Sequence, residues 1–374
     1  MKKRSLLFMG LLCSIAFYSC QKNIKEDAIA ASDESVSADH YNPNVHHQPA
    51  SLTNGTFAEV AYDHDAVGTF TEGPAVDKKG NVFFTDQNND KIYKWDAKTG
   101  NVTLWLTGTG RSNGMAFDRY GNLIACADMH GELWKIFPNG HHQVLVNNYN
   151  GKLLNGPNDV WINPANGGIY ITDPIFPRGY WDAGDPRIQG WPPTHSEQAA
   201  TGKGGHVYYL APGSHHLVRV TTMSDWDADI WPNGVVGTPD GKKLYVNEWT
   251  GGPTGTIWSF DIRPDGRLAH MKVFADGLVG CDGMSMDEYG NVYVSSGGVK
   301  AFNPKGELIL TIATPGGAAN NVFAGQNEKT LFITGGGSGK IFTQQMNVKG
   351  VEKFDGNGWG PHWPGNGHGH GHHW

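Results

Sequence analysis

No two cysteines in this chain stand close enough to make a C-x-x-C pair, and only four occur in 374 residues. That spacing excludes a thiolate metal site and a dithiol redox motif. Charge is scarce as well. Only 17% of residues are charged and no basic block follows Lys2, Lys3 and Arg4, so nothing can track a phosphate backbone and nucleic acid is excluded as a partner. The apolar run Leu6–Tyr18 is too short to span a bilayer. What is abundant is Gly 52, Trp 13, Tyr 13 and Phe 16, a composition that suits many short strands joined by tight turns and predicts an all-β fold.

Three cations followed by an apolar core of that length read as a leader, so residues 1–19 are expected to direct export as a signal peptide. Ser19-Cys20 then resembles a bacterial lipobox, which predicts a lipid on Cys20 and anchorage in the cell envelope; the alternative is ordinary cleavage nearby and a soluble periplasmic product. Loss of the leader takes the formal charge from −7 to −10. Cys126 and Cys281 remain, 155 positions apart, and read as small buried apolar residues rather than a disulfide framework. Residues 20–54 are rich in Ser, Ala, Asp, Asn and His and read as a tether, while residues 351–374 form a Gly/His/Trp-rich tail whose His368, His370, His372 and His373 suit borderline metals.

Between them, over residues 55–350, one pattern returns six times: a polar residue beside a small one, a D/N-x-x-G-type turn, then an alternating apolar strand. The residues that open the copies are Glu72, Asn113, Asn158, Asn233, Asp282 and Asn321, at intervals of 41, 45, 75, 49 and 39. Such spacing predicts a six-bladed β-propeller with four strands per blade, closed by the segment near Phe57–Tyr62. The long interval holds an insertion over Ile175–Gly205 carrying Trp181, Trp191, Pro192, Pro193 and His195, long enough to form a lid or rim loop.

A propeller brings equivalent positions of its repeats to one mouth of the central channel. All six openers offer a side-chain oxygen and none offers sulfur or imidazole. Hard oxygens with two carboxylates fit one divalent cation, calcium first, with Mg2+, Mn2+ or Zn2+ as alternatives. The same Asn-Gly and Asp-Gly pairs are also ordinary turn signals, and Glu72, a poor turn residue in the same register, argues for a site.

At these positions the chain resembles the bacterial gluconolactonases of the regucalcin family. The resemblance runs through Glu72-Gly73-Pro74, Asn155-Gly156-Pro157-Asn158-Asp159-Val160, Ile171-Thr172-Asp173-Pro174, Pro232-Asn233-Gly234 and Asp282-Gly283-Met284, within about Phe57 to Phe342. It implies a central ion held by Glu72, Asn233 and Asp282, with Asn158 at the ion or on the substrate. In the animal members an Arg two places before that Asn binds substrate, and here Gly156 stands there. Lys152, Asn155, His130 or the aromatic insertion are the candidate replacements, beside Asn113.

The implied activity is hydrolysis of a sugar-type lactone with Lewis-acid activation of its carbonyl. Asp282 is the first candidate for the base, with His130 second and Asn158 orienting the substrate. Asp86, Asp128 and Asp173, which close the first strand pairs of their blades, are expected to cap turns. Two further readings stay open: a non-catalytic propeller that binds a glycan or protein, and an aryl-ester or phosphoester hydrolase similar to diisopropyl fluorophosphatase and the paraoxonases.

Overall fold

The computed structural model describes residues 48–64, 68–176, 178–181, 185, 205–224, 226, 230–249 and 254–351. The leader, Cys20, most of the tether, Trp191 to His195 of the insertion and the His-rich tail lie outside the described residues.

A first strand, β1 (Thr53–Glu59), precedes six antiparallel four-stranded sheets. Blade one is β2 (Thr71–Val76), β3 (Val82–Asp86), β4 (Lys91–Trp95) and β5 (Val102–Thr107). Blade two is β6 (Ser112–Phe117), β7 (Leu123–Ala127), β8 (Glu132–Ile136) and β9 (His142–Val146). After a small hairpin of β10 (Asn148–Tyr149) and β11 (Lys152–Leu153), blade three is β12 (Val160–Ile162), β13 (Ile169–Pro174), β14 (Gly205–Leu210) and β15 (Leu217–Arg219). Blade four is β16 (Pro232–Gly237), β17 (Lys243–Glu248), β18 (Gly255–Ile262) and β19 (Leu268–Leu278); blade five is β20 (Met284–Met286), β21 (Val292–Ser295), β22 (Val299–Phe302) and β23 (Leu308–Ile312). Blade six joins β24 (Asn320–Ala324), β25 (Thr330–Thr334) and β26 (Ile341–Met346) to β1, so the ring is the six-bladed β-propeller expected from the repeats.

Closure removes an open sheet edge by pairing both ends of the propeller within one blade. Ala58 lies opposite Thr343 and Glu59 opposite Phe342, and the Phe57 and Phe342 rings stack at 5.3 Å. Thr53 already pairs with Met346, and Leu52 before it is buried among Met346 and Val348, so the tether boundary drawn after Asn54 falls inside β1.

Each D-x-x-G turn is built alike. Asp77 Oδ1 accepts the amides of Lys79 and Asn81 while Gly80 takes a left-handed φ of 84°, and Asp118 and Asp287 repeat the device with Gly121 and Gly290. The innermost strands β2, β16, β20 and β24 are buried throughout, whereas β5 has no fully buried residue and β23, also at the rim, is largely exposed. Apolar side chains pack between blades: Phe84, Tyr93 and Trp95 of blade one meet Phe332 and Ile341 of blade six. Cys126 and Cys281 are both free and buried, as expected of small core residues.

Candidate metal and substrate site

The openers of the first five copies stand at or just before the innermost strands, ringed around the channel. The backbone carbonyls of the four that follow Glu72 are held by the blade before. Thr85 Oγ1 donates to Asn113 O (3.4 Å), Gly114 N to Asn158 O (2.6 Å), Thr172 Oγ1 to Asn233 O (2.7 Å) and Asn247 Nδ2 to Asp282 O. Each of these four is thereby fixed by its neighbour.

The same ring explains the glycines. A Cβ on Gly73 would lie 1.9 Å from Asn113 O, and one on Gly234 2.4 Å from Asp282 O. The x-Gly pairs are places where one blade closes on the next, rather than turns, so backbone packing and side-chain placement are two sides of one arrangement. Local loops are pinned too: Asp173 accepts the amides of Asn155 and Gly156 at 3.0 Å each, and Asp86 accepts that of Phe70. Those two acids cap backbone as expected.

Glu72, Asn113, Asn158 and Asn233 are buried and Asp282 is half-buried. Glu72 and Asp282 come from opposite sides of the repeat series yet share a side-chain hydrogen bond, and Glu72 also engages Asn320 and the amide of Gly73. Burial raises the Glu72 carboxyl and pushes that of Asp282 well above the usual range, with the Glu72 charge second for Asp282. Asp159, buried and within the field of Glu72, is pushed up to about 8, burial again being the larger cause.

Asn113 Oδ1 and Asn233 Oδ1 are buried with no hydrogen-bond partner. Buried acids that resist ionising, beside amide oxygens that nothing satisfies, are a donor set suited to a hard divalent cation, which supplies the missing charge and the missing partner together. Among the described residues no three His, Cys, Asp or Glu side chains gather as a metal-holding group, so the fit rests on this mixed carboxylate and amide set.

Other expectations meet different outcomes. In blade six Asn321 does not face the ring: its Oδ1 accepts from Ser285 and its Nδ2 donates to Ser295 and Gly283 O. By hydrogen bonding to the second strand, Ala319 holds the place of Asn158 and Asp282, and Asn320 the place of Asp159. His130 is exposed and stacks against Trp134, whose other close ring partner is His142. Lys152 is half-buried in the β10–β11 hairpin. Asn155 is fully buried; its Nδ2 donates to Asp173 O and its Oδ1 has no partner.

Asp128 does more than cap a turn. It accepts Arg178 Nε (3.0 Å), Trp181 Nε1 (3.2 Å) and Gln87 Nε2 (3.3 Å). Arg178 comes from the insertion, and its charge lowers the carboxyls of both Glu72 and Asp282. Only the position of the insertion hinted at it. Asp159 was visible as the residue after an opener where four of the other copies carry Gly. Thr85, Thr172 and Asn247 were visible as polar residues at the end of otherwise apolar second strands.

One further spacing, Gly110-Arg111-Ser112-Asn113-Gly114, fits a nucleophile elbow, G-x-S-x-G. Ser112 is fully buried, begins β6 and donates to Thr109 O at 2.6 Å, so it is no exposed nucleophile on a strand-to-helix turn.

Residues 70–337 match the family model described as the SMP-30/Gluconolactonase/LRE-like region. The chain is 28% identical over 291 residues to a gluconolactonase of Zymomonas mobilis, covering 71% of this chain and 76% of that protein. It is 25% identical over 313 residues to the diisopropyl-fluorophosphatase of Loligo vulgaris, covering 76% and 91%. Among solved structures, a gluconolactonase of Xanthomonas campestris is 30% identical with a TM-score of 0.65, covering 79% of this chain and 91% of that one.

Proposed function

Because this chain belongs to the SMP-30/gluconolactonase/LRE-like family, we propose that it is a lactonase that opens a sugar-type lactone with the help of one divalent cation, calcium first. The observation that carries the reading is the meeting of Glu72 and Asp282 in a ring of openers that also holds Asn233, whose Oδ1 is buried with no hydrogen-bond partner. The gluconolactonase relatives at 28% and 30% identity support the choice of a lactone.

Glu72, Asn233 and Asp282 would hold the cation, with Asn158 beside it. A cation bound there would supply Lewis-acid polarisation of the lactone carbonyl and would offset the negative charge that grows on its oxygen. Asn158 and Asn113 orient the substrate with their amides. The Asp282 carboxylate accepts a proton from the attacking water as the new C–O bond forms. The ring C–O bond then breaks and its oxygen leaves as a hydroxyl. Buried walls around the inner strands exclude bulk water and strengthen each of these contacts.

A second reading, hydrolysis of a phosphotriester or aryl ester, is supported by the 25% identity to the squid fluorophosphatase. Assaying a panel of aldonolactones, an aryl ester and a phosphotriester separates the two. Turnover confined to lactones bears out the first reading, turnover confined to the esters the second, and a bound metal without turnover favours a binding protein. We further propose that Cys20 anchors the exported protein in the cell envelope.

A further inference from the structure

The described part of the insertion folds against the site rather than away from it. Ile175 and Trp181 are buried, and the ring of Trp181 lies 3.5 Å from where a Cβ on Gly156 would stand, beside the loop that carries Asn158. The Arg178 side chain is 18% exposed and Asp128 2%, so their ion pair is largely shielded from solvent. Asp128 is braced by donors from blade one and from the insertion, which leaves the guanidinium one fixed direction.

Among the described residues Arg178 gives Nε to Asp128, and its other N–H groups belong to the same rigid fork. Its charge reaches both Glu72 and Asp282. Among the described residues, Arg111 lies over the Tyr180 ring at 4.4 Å and donates to the carbonyl of Asn88. The guanidinium carbon of Arg178 lies 5.6 Å from the Phe176 ring, so the ion pair and that ring engage its Nε and one face and leave the rest of the fork for a further use.

The reaction provides one. Water adds its oxygen to the carbonyl carbon, the ring C–O bond breaks, one water proton ends on the ring oxygen and the other leaves the new carboxyl for solvent. A neutral ligand thus becomes an anion among buried carboxylates. We propose that Arg178 is a substrate- and product-contacting residue that receives the carbonyl end of the lactone as it becomes a carboxylate, with Asp128, Trp181 and Gln87 positioning its guanidinium. The inference rests on the lactonase reading and adds the ligand class: an aldonate bound through its carboxylate.

The test uses the full-length, metal-loaded protein and a lactone that the wild type opens. Affinity is measured for the matching aldonate and for the neutral alditol of the same carbon skeleton, D-gluconate and D-glucitol for the glucose series, with metal content checked in each variant. Arg178→Gln is expected to weaken aldonate binding on the order of tenfold or more while alditol binding is unchanged, because one charge-assisted contact is lost. Arg178→Lys restores part of it, as a point charge without the fork. Asp128→Asn gives an intermediate loss confined to the aldonate. Equal weakening of both ligands, or of neither, overturns the inference. A wild type that opens no lactone overturns the lactonase reading instead.

Discussion

Glu72 and Asp282 are two acids that the fold forces together; burial opposes the ionisation of both, and at Asp282 the Glu72 charge adds to it. Glu72→Gln or Asp282→Asn is therefore expected to weaken metal binding by calorimetry and cut lactone turnover on the order of a hundredfold or more. Either substitution removes a buried carboxyl that resists ionising, so metal-free variants should melt no lower than metal-free wild type. A clear drop in that melting temperature would recast the pair as structural. Asn158→Ala should reduce turnover more than metal retention if its amide orients substrate.

His206 tests a different kind of burial. Desolvation lowers it to about 4, with Thr221 Oγ1 at 3.0 Å from Nδ1. Its unfolded value is about 6.5, so the unfolded chain binds the proton more readily. Its contribution is fully present above pH 6.5 and is lost as pH falls towards 4, by up to about 3 kcal/mol. Denaturant unfolding across that window should show a shallower pH slope for His206→Gln than for wild type.

Between neighbouring blades the decisive contacts are backbone ones. Gly234→Ala places a methyl 2.4 Å from Asp282 O and 3.0 Å from the Gly283 Cα, so blade four must move off blade five. Both melting temperature and metal affinity should fall together. Thr172→Val removes the hydroxyl that donates to Asn233 O and accepts the amide of Asp159, and about 2 kcal/mol of stability is expected to go with it. The repeats made the position of this element legible in advance, since a glycine follows the opener in four of the six copies, but its role in closing one blade on the next was not, because the same pairs also read as turn signals. What else was not legible follows from breaks in the repeat. Asn320 and Asn321 are adjacent and chemically alike, so pattern alone could not tell that Ala319 carries the backbone register. Asp128 has an ordinary turn position, and only the insertion's Arg178 and Trp181 give it another use. Arg178 has no counterpart in other copies and so no register by which to find it.

At the scale of the molecule, a ring with one closing strand is a fold whose two ends depend on each other. Deleting residues through Glu59 bares the edge of β26 and should both destabilise the ring and promote association, which light scattering would reveal. Outside the ring, Cys20→Ala is expected to move the protein from the membrane to the soluble fraction; unchanged fractionation would favour plain export. Composition and period were enough to read the six blades, because every blade buries its strands in the same way. They were not enough to read the rim, where single residues from the insertion set the chemistry. Lactone hydrolysis by this chain is proposed to depend on a cation held by Glu72, Asn233 and Asp282. That dependence is measured by stripping the protein with chelator, verifying metal removal by elemental analysis, and following lactone turnover before and after restoring calcium, magnesium, manganese or zinc. Activity is expected to disappear with the metal and to return with calcium in wild type but not in Glu72→Gln. Full turnover in verified metal-free protein would contradict it.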